Sequence, residues 1–164
     1  MAVEDAEGLY AIRSDERAMR FMDSVWHKSV EDSKQKIEEI REAFRKKEGI
    51  NWSIIEKGSG LFIGYFGYWR LERHNSRAEI GYALVPDHWG KGFMTEALSS
   101  LLTFGFDVIK LHSMEANINP NNAPSRKLLL KSGFRQEAYF RENYFYEGKF
   151  IDSEIYGLLK SDLK

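Results

Sequence analysis

A glycine-rich turn carries the residues whose types and spacing most directly indicate chemistry. Gly90, Lys91 and Gly92 follow a run of strand-favouring residues and precede a segment with helical periodicity. Such a turn presents unpaired backbone N–H groups and the positive end of a helix dipole, so it predicts a site for a phosphate-bearing ligand. Two nucleotide-binding loops are excluded. A P-loop needs Ser or Thr where Gly92 stands, and a dinucleotide fingerprint needs glycine where Thr95 stands.

A carboxylate on the strand before the turn could accept a proton. Strand alternation places Glu79 on one face with Gly81 and Ala83, whose small side chains leave space beside it. Glu79 is therefore the leading candidate for a general base. The alternative interpretation is an ion pair between Glu79 and a nearby arginine, such as Arg77 or Arg126.

The turn, Trp89-Gly90-Lys91-Gly92-Phe93-Met94, resembles the acetyl-CoA motif of the GNAT acetyltransferase superfamily. Trp89 stands where that motif has Gln or Arg, and Met94 stands where it has a small residue. Followed by Thr-Glu-Ala, the turn is similar to the branch that contains the ribosomal-protein N-terminal alanine and serine acetyltransferases. A second resemblance, from Asn122 to Phe134, follows in the correct order, so the likeness covers nearly the whole chain. A tight turn without a ligand is the alternative interpretation of the glycines.

The resemblance implies acetyl-CoA as co-substrate. Backbone N–H groups from Gly90 to Thr95 would hold the pyrophosphate, with charge added by Lys91, and the preceding strand would pair with the pantetheine arm. The predicted cofactor-binding residues are Leu84, Val85, Gly90, Lys91, Gly92, Phe93, Met94, Thr95, Asn117, Asn122 and Ser125.

The resemblance also identifies a candidate acid. Many superfamily members carry a tyrosine acid where this chain has Leu129. Ser125 resembles the serine that the ribosomal branch places near the CoA sulfur. We therefore expect Ser125 to protonate or hydrogen-bond the thiolate, while Asn122 holds the pantetheine. Helix capping by Asn122 and Ser125 is the alternative interpretation.

Composition bounds the class of protein. The chain has 164 residues, which predicts one domain over 1–164, and its formal net charge of −1 argues against nucleic acid as a partner. The sequence has no cysteine, which excludes disulfides and thiolate chemistry, and its four histidines are not spaced as metal ligands, so we expect no metal. No signal peptide or membrane-spanning run is recognisable, which predicts a cytoplasmic protein without membrane contact.

The pattern of elements predicts an α+β fold. The resemblance makes this a GNAT-type mixed, mostly antiparallel central sheet with helices on both faces. The first edge strand is predicted to be missing or vestigial, because Met1–Asp5 leaves almost no room before the first helix. A capping box at Ser29 opens a long helix that we expect to end at Gly49. Predicted strands cover 51–56, 61–70, 77–85, 112–119, 134–145 and 150–159, and further helices follow the turn and Asn122.

The predicted reaction, implied by the resemblance, is direct attack of an amine on the acetyl thioester in a ternary complex. A protein or peptide N-terminal amine is the preferred acceptor, because an α-amine with a pKa of about 8 is about a tenth neutral at pH 7 and needs only a weak base. A small-molecule amine such as a polyamine, an amino acid or an aminoglycoside is the enzymatic alternative, and a non-catalytic acyl-CoA sensor is the other. An unprotected sheet edge would favour a homodimer, although no residue pattern requires one.

Overall fold

The computed structural model describes residues 1–163 and contains a six-stranded sheet in the order β1-β2-β3-β4-β6-β5. Neighbouring strands are antiparallel except β3 and β4, which are parallel. The strands are β1 (Ile50–Ile55), β2 (Phe62–Glu72), β3 (Arg77–Leu84), β4 (Ser113–Ile118), β5 (Arg135–Tyr146) and β6 (Lys149–Leu159).

Helices cover both faces of the sheet. Three of them pack on one face around a core that includes Leu9, Ile37 and Ala83, and two pack on the other face around Ile80 and Leu101. The first group is α1 (Ala6–Arg13), α2 (Glu16–Met19) and α3 (Val30–Arg45), and the second is α4 (Phe93–Thr103) and α5 (Ala123–Lys131). Within residues 1–163, no helix is both long and apolar enough to cross a membrane.

The parallel pair in the middle of the sheet is short. β3 and β4 are in register only from Arg77 opposite Ser113 to Glu79 opposite Glu115. Both strands continue beyond that point, so they separate and leave an opening between them. The two helical layers therefore meet the same gap from opposite sides.

The predicted α+β fold is confirmed, including the absent first strand: Val3–Asp5 is a single 3₁₀ turn and the sheet begins at Ile50. Two boundaries and one helix type were wrong. The long helix ends at Arg45 rather than Gly49, and β2 runs to Glu72 through a segment predicted as loop. Helical periodicity after the turn predicted one continuous helix, but the chain changes to a π-helix over Phe104–Ile109.

A tyrosine hydroxyl explains where the helix changes. Tyr68 is fully buried on β2, and its hydroxyl donates to the Leu101 carbonyl at 2.6 Å. In a regular α-helix that carbonyl accepts from the amide of Gly105. A side chain inserted into the hydrogen-bond ladder favours the wider turn that begins at Phe104.

We expect Tyr68→Phe to lower the free energy of unfolding by about 0.5–1.5 kcal/mol, because a buried hydrogen bond is lost while the Leu101 carbonyl keeps the Phe104 N–H as a donor. Urea unfolding measures the change. Tyr10→Phe is the matched control, since the Tyr10 hydroxyl makes only an exposed 3.5 Å contact with the Lys28 carbonyl. Its expected change is within about 0.5 kcal/mol, and equal losses in the two variants would contradict the role given to Tyr68.

Candidate active site

A cleft of about 1000 Å³ opens where β3 and β4 separate. Its walls come from both helical layers and from the segment between β3 and α4. Val85 and Lys91 are the predicted site residues that do not line it. The predicted residues that do are Glu79, Leu84, Gly90, Gly92, Phe93, Met94, Thr95, Asn117, Asn122 and Ser125.

The glycine turn has the geometry of an anion site. Gly90 and Gly92 have φ values of 73° and 88°, in the left-handed region, and the space where a side chain would project is open. Within residues 1–163, none of the backbone N–H groups from Gly90 to Thr95 has an acceptor, and Glu96 is the first to donate into the helix. Unpaired N–H groups at the start of an eleven-residue helix can bind a phosphate group.

The strand before the turn presents Leu84, not Val85, to the opening. The Val85 N–H donates to the Ile63 carbonyl of β2 at 2.9 Å. Because bonding directions alternate along a strand, Leu84 turns its N–H and carbonyl toward the opposite edge, where β4 has separated. The indole N–H of Trp89 donates to the Leu84 carbonyl at 3.0 Å. The Leu84 N–H is therefore the group that this edge offers to an extended ligand.

Ser125 bonds to a tyrosine that sequence reasoning missed. The Tyr82 hydroxyl lies 2.7 Å from Ser125 Oγ, and both residues line the cleft. Asn122 caps α5, since its Oδ1 accepts from the Ser125 backbone N–H at 3.1 Å. The capping interpretation therefore fits Asn122, whereas the Ser125 hydroxyl faces Tyr82.

Burial raises the pKa of the Tyr82 phenol to about 12, although the bond to Ser125 works in the opposite direction. The phenol thus stays protonated at neutral pH and can donate to Ser125. Leu129, where the resemblance would place a tyrosine, is fully buried in the core and brings no polar group. Strand alternation already put Tyr82 on the face opposite Glu79, but the pattern did not show which helix covers that face.

Glu79 is ion-paired and also lines the cleft. Its Oε2 lies 2.9 Å from Arg70 Nη2, so an ion pair with a nearby arginine is present, but its partner is Arg70 and neither of the suggested residues, Arg77 and Arg126. Arg77 pairs with Glu115, and Arg126 pairs with Glu154. Burial raises the pKa of the Glu79 carboxyl, Arg70 opposes this shift, and Glu115 adds to it.

Glu79 and Ser125 approach the cleft from opposite sides of the sheet. Ile80 packs against α4, which places Tyr82 and Ser125 on the side of α4 and α5. Ala83 packs against α1, which places Glu79 on the side of α1 and α3 by strand alternation. A carboxylate and a hydroxyl pair therefore face one another across the opening between β3 and β4.

The face with Glu79 is shaped by a bulge in β2. Tyr68 is opposite Ile80 and Arg70 is opposite Glu79, which leaves Trp69 as an extra residue. A side chain on Gly81 would collide with the Trp69 indole. The indole therefore covers Gly81 and forms part of the cleft wall beside Glu79.

The loop between α2 and α3 closes the same side of the cleft. Asn119 donates to the Asp23 carboxylate at 2.9 Å, and the hydroxyls of Tyr144 and Tyr146 donate to the carbonyls of Asp23 and Ser24. These bonds join the loop to β4 and β5, far apart in sequence, so the sequence carried no signal for them. No group of three or more potential metal ligands comes together among the described residues.

Comparisons with known proteins show the family of this chain. The model of the Acetyltransferase (GNAT) domain matches residues 1–135. The "Uncharacterized N-acetyltransferase p20" of Bacillus licheniformis is 35% identical over 162 residues, which cover 99% of this chain and 91% of that protein. The crystal structure of a GNAT-family acetyltransferase from Bacillus anthracis is 25% identical, has a TM-score of 0.86, and is matched over 98% of this chain and 92% of that one.

Two relatives have names that state a substrate. The [Ribosomal protein uS5]-alanine N-acetyltransferase of Escherichia coli is 25% identical over 75% of this chain and 64% of that protein. The spermidine N(1)-acetyltransferase of Vibrio cholerae is 22% identical over 84% of this chain and 80% of that protein. With most of its length matched by the family model and the fold shared, the chain belongs to the GNAT acetyltransferase family and is an acetyl-CoA-dependent N-acetyltransferase.

Proposed function

We propose that this enzyme acetylates a protein or peptide N-terminal amine by direct attack on acetyl-CoA in a ternary complex. The observation that carries the proposal is the placement of Glu79 and the Tyr82–Ser125 pair on opposite sides of one cleft. Ion pairing with Arg70 makes Glu79 a moderate base. An α-amine needs no stronger one, whereas an amine with a pKa near ~10.4 does.

The donor is held by the glycine turn. Unpaired N–H groups from Gly90 to Thr95 would bind the pyrophosphate, and the Leu84 N–H would bind the pantetheine arm. Acetyl-CoA supplies the activated acetyl group and a thiolate leaving group. The open space above Gly90 and Gly92 fits a ligand that approaches the backbone closely. Asn122 would contribute its amide N–H₂, since its Oδ1 is used to cap α5.

The two sides of the cleft would carry the two proton transfers of the reaction. Glu79 would accept the proton that the amine loses as it attacks, from the side of α1 and α3. Ser125 would donate to the departing sulfur from the side of α4 and α5. Tyr82, protonated at neutral pH, would donate to Ser125 Oγ and so make the serine hydroxyl a better donor.

A polyamine acceptor is the second candidate, because one relative is a spermidine acetyltransferase. A panel of acceptors separates the two: release of free thiol from acetyl-CoA is measured with peptides of free N-terminus, with N-terminally blocked lysine peptides, and with spermidine. The free N-terminus is expected to give the highest kcat/KM. Faster turnover of spermidine would contradict the proposed acceptor.

The cytoplasmic location, the single domain and a homodimer stay predictions.

Ser125→Ala is expected to lower kcat by about 10- to 100-fold, and Tyr82→Phe by about 10-fold, with little change in KM for acetyl-CoA. Because Tyr82 acts through Ser125, Tyr82→Phe should add almost nothing to Ser125→Ala in the double variant. Steady-state kinetics with a confirmed acceptor measures the three variants. Additive losses would contradict the coupling, and unchanged turnover in Ser125→Ala would remove the serine from the mechanism.

The pH dependence tests Glu79. The raised pKa means that the carboxylate forms only as pH rises above the usual range of a glutamate, and the amine must also be neutral. We therefore expect log kcat/KM to rise with a slope of about two below the Glu79 pKa and about one between that pKa and ~8. Glu79→Gln should lower kcat/KM by about 100-fold. Its log kcat/KM should rise with a slope of one at every pH below ~8, because only the amine still titrates.

Glu72→Gln is the matched control for Glu79→Gln. Glu72 also pairs with Arg70, at 3.4 Å, but does not line the cleft. Its profile should keep both slopes. If the two variants behave alike, Glu79 is a structural partner of Arg70 and not the base.

A further inference from the structure

Arg13 is a buried cation without an anionic partner. The residue, at the end of α1, is 8% exposed. Its Nη1 donates to Ser24 Oγ at 2.6 Å and approaches Met22 Sδ at 3.9 Å. Its Nε is fully covered and has no partner, and no carboxylate of residues 1–163 lies within 4.0 Å of the guanidinium. A guanidinium stays charged, so Arg13 carries a buried positive charge that no carboxylate contacts.

The guanidinium belongs to the acceptor side of the cleft. Arg13 lines the cleft together with Tyr65, Trp69 and Glu79. Tyr65 packs in the core shared with α1, on the face that carries Glu79. Arg13 therefore lies on the wall opposite Ser125 and away from the turn that holds the donor.

The acidic side chains of the cleft are already occupied. Glu79 pairs with Arg70, Asp23 accepts from Asn119, and Asp152 accepts from a tyrosine hydroxyl and a backbone N–H. His27, whose backbone N–H donates to the Arg13 carbonyl, is shifted toward its neutral form, because burial lowers the pKa of its imidazole and Arg13 lowers it further. Asp23 and Asp152 keep their negative charge, since their donors are neutral, but neither lies within salt-bridge distance of Arg13.

Other cations of the same wall have partners. Arg17 pairs with Asp15 and Asp87, and Lys36 pairs with Glu39 at 2.9 Å. Arg13 differs from them in being both buried and unmatched. Its Nη1 is fixed by Ser24 and its Nε is covered by protein atoms, which leaves Nη2 as the nitrogen that can donate to a ligand carboxylate.

We infer that Arg13 binds a carboxylate of the acceptor, so that the substrate is a primary amine that also carries an acidic group. This inference rests on the proposed function and narrows it. A ligand carboxylate at Nη2 would accept a charge-assisted hydrogen bond and neutralise the buried charge. A polyamine offers Arg13 no hydrogen-bond acceptor. In the proposed acceptor the carboxylate is an acidic side chain near the N-terminus of a peptide. A free amino acid, which is an alternative acceptor, would supply its α-carboxylate instead.

Matched acid and amide acceptors test the inference. One pair is alanine and alaninamide, and the other is a C-terminally amidated peptide that begins Ala-Asp or Ala-Asn, with spermidine as a separate probe. Both kcat/KM and equilibrium binding to the CoA-saturated enzyme are measured. The acid member of at least one pair is expected to be favoured by about 10- to 100-fold, and the pair with the larger ratio identifies the source.

Variants of Arg13 show whether the guanidinium causes the preference. Arg13→Met should bring the acid-to-amide ratio close to one, and Arg13→Lys should lower it because the ammonium does not reproduce the position of the planar guanidinium, with KM for acetyl-CoA unchanged in both. Lys36→Met removes the same charge from the same wall but breaks only a paired lysine, so it should keep the ratio. Thermal unfolding reports whether each variant is folded, and Arg13→Lys decides the outcome if Arg13→Met is not.

The outcomes separate this inference from the proposed function. Turnover of amines with equal preference for acid and amide overturns the role of Arg13 and leaves N-terminal acetylation standing. A ratio that survives in Arg13→Met and Arg13→Lys also overturns it. If no amine in the panel is acetylated, the proposed acceptor class fails, while the acid-to-amide binding ratio still measures what Arg13 recognises.

Discussion

The end of pairing between β3 and β4 is the constraint on which the rest of the site depends. Backbone groups of adjacent strands normally satisfy each other, but here the ladder stops at Glu79 opposite Glu115. Beyond that point the two strand edges face a cavity, so their free N–H and carbonyl groups need other partners. The Trp89 indole provides one of these at the Leu84 carbonyl. An extended ligand with amide groups would complete the arrangement.

Charge at the apex of the opening is balanced by two arginines. Two glutamates at directly opposed positions of neighbouring strands would repel each other. Arg70 contacts both Glu79 and Glu115, and Arg77 contacts Glu115. This network makes Glu79 tolerable beside a buried core, and it also limits how basic Glu79 can become. The ion pair that stabilises Glu79 in the fold also sets its basicity. The sequence therefore could not show whether Glu79 is a structural partner of an arginine or a base.

The sequence predicted what is local and missed what depends on contacts between distant segments. The glycine turn between a strand and a helix could be predicted because the glycines, the helix periodicity and the strand before them lie within about twenty residues. The bond between Tyr82 and Ser125 joins positions 43 residues apart, and Arg70 reaches Glu79 only because a bulge at Trp69 shifts the register. Arg13 gave no signal at all, since a lone arginine at a helix end is usually solvated. Its meaning depends on burial without a carboxylate, which is a property of the folded chain.

The contact between Trp69 and Gly81 ties two positions on neighbouring strands to one another. Because the indole occupies the space where any side chain at position 81 would lie, position 81 cannot be enlarged alone. Enlarging position 81 would first require a smaller residue at position 69, and the wall beside Glu79 would move with it. Among relatives, these two positions should therefore vary together. A change in the pair would indicate an acceptor molecule of a different shape.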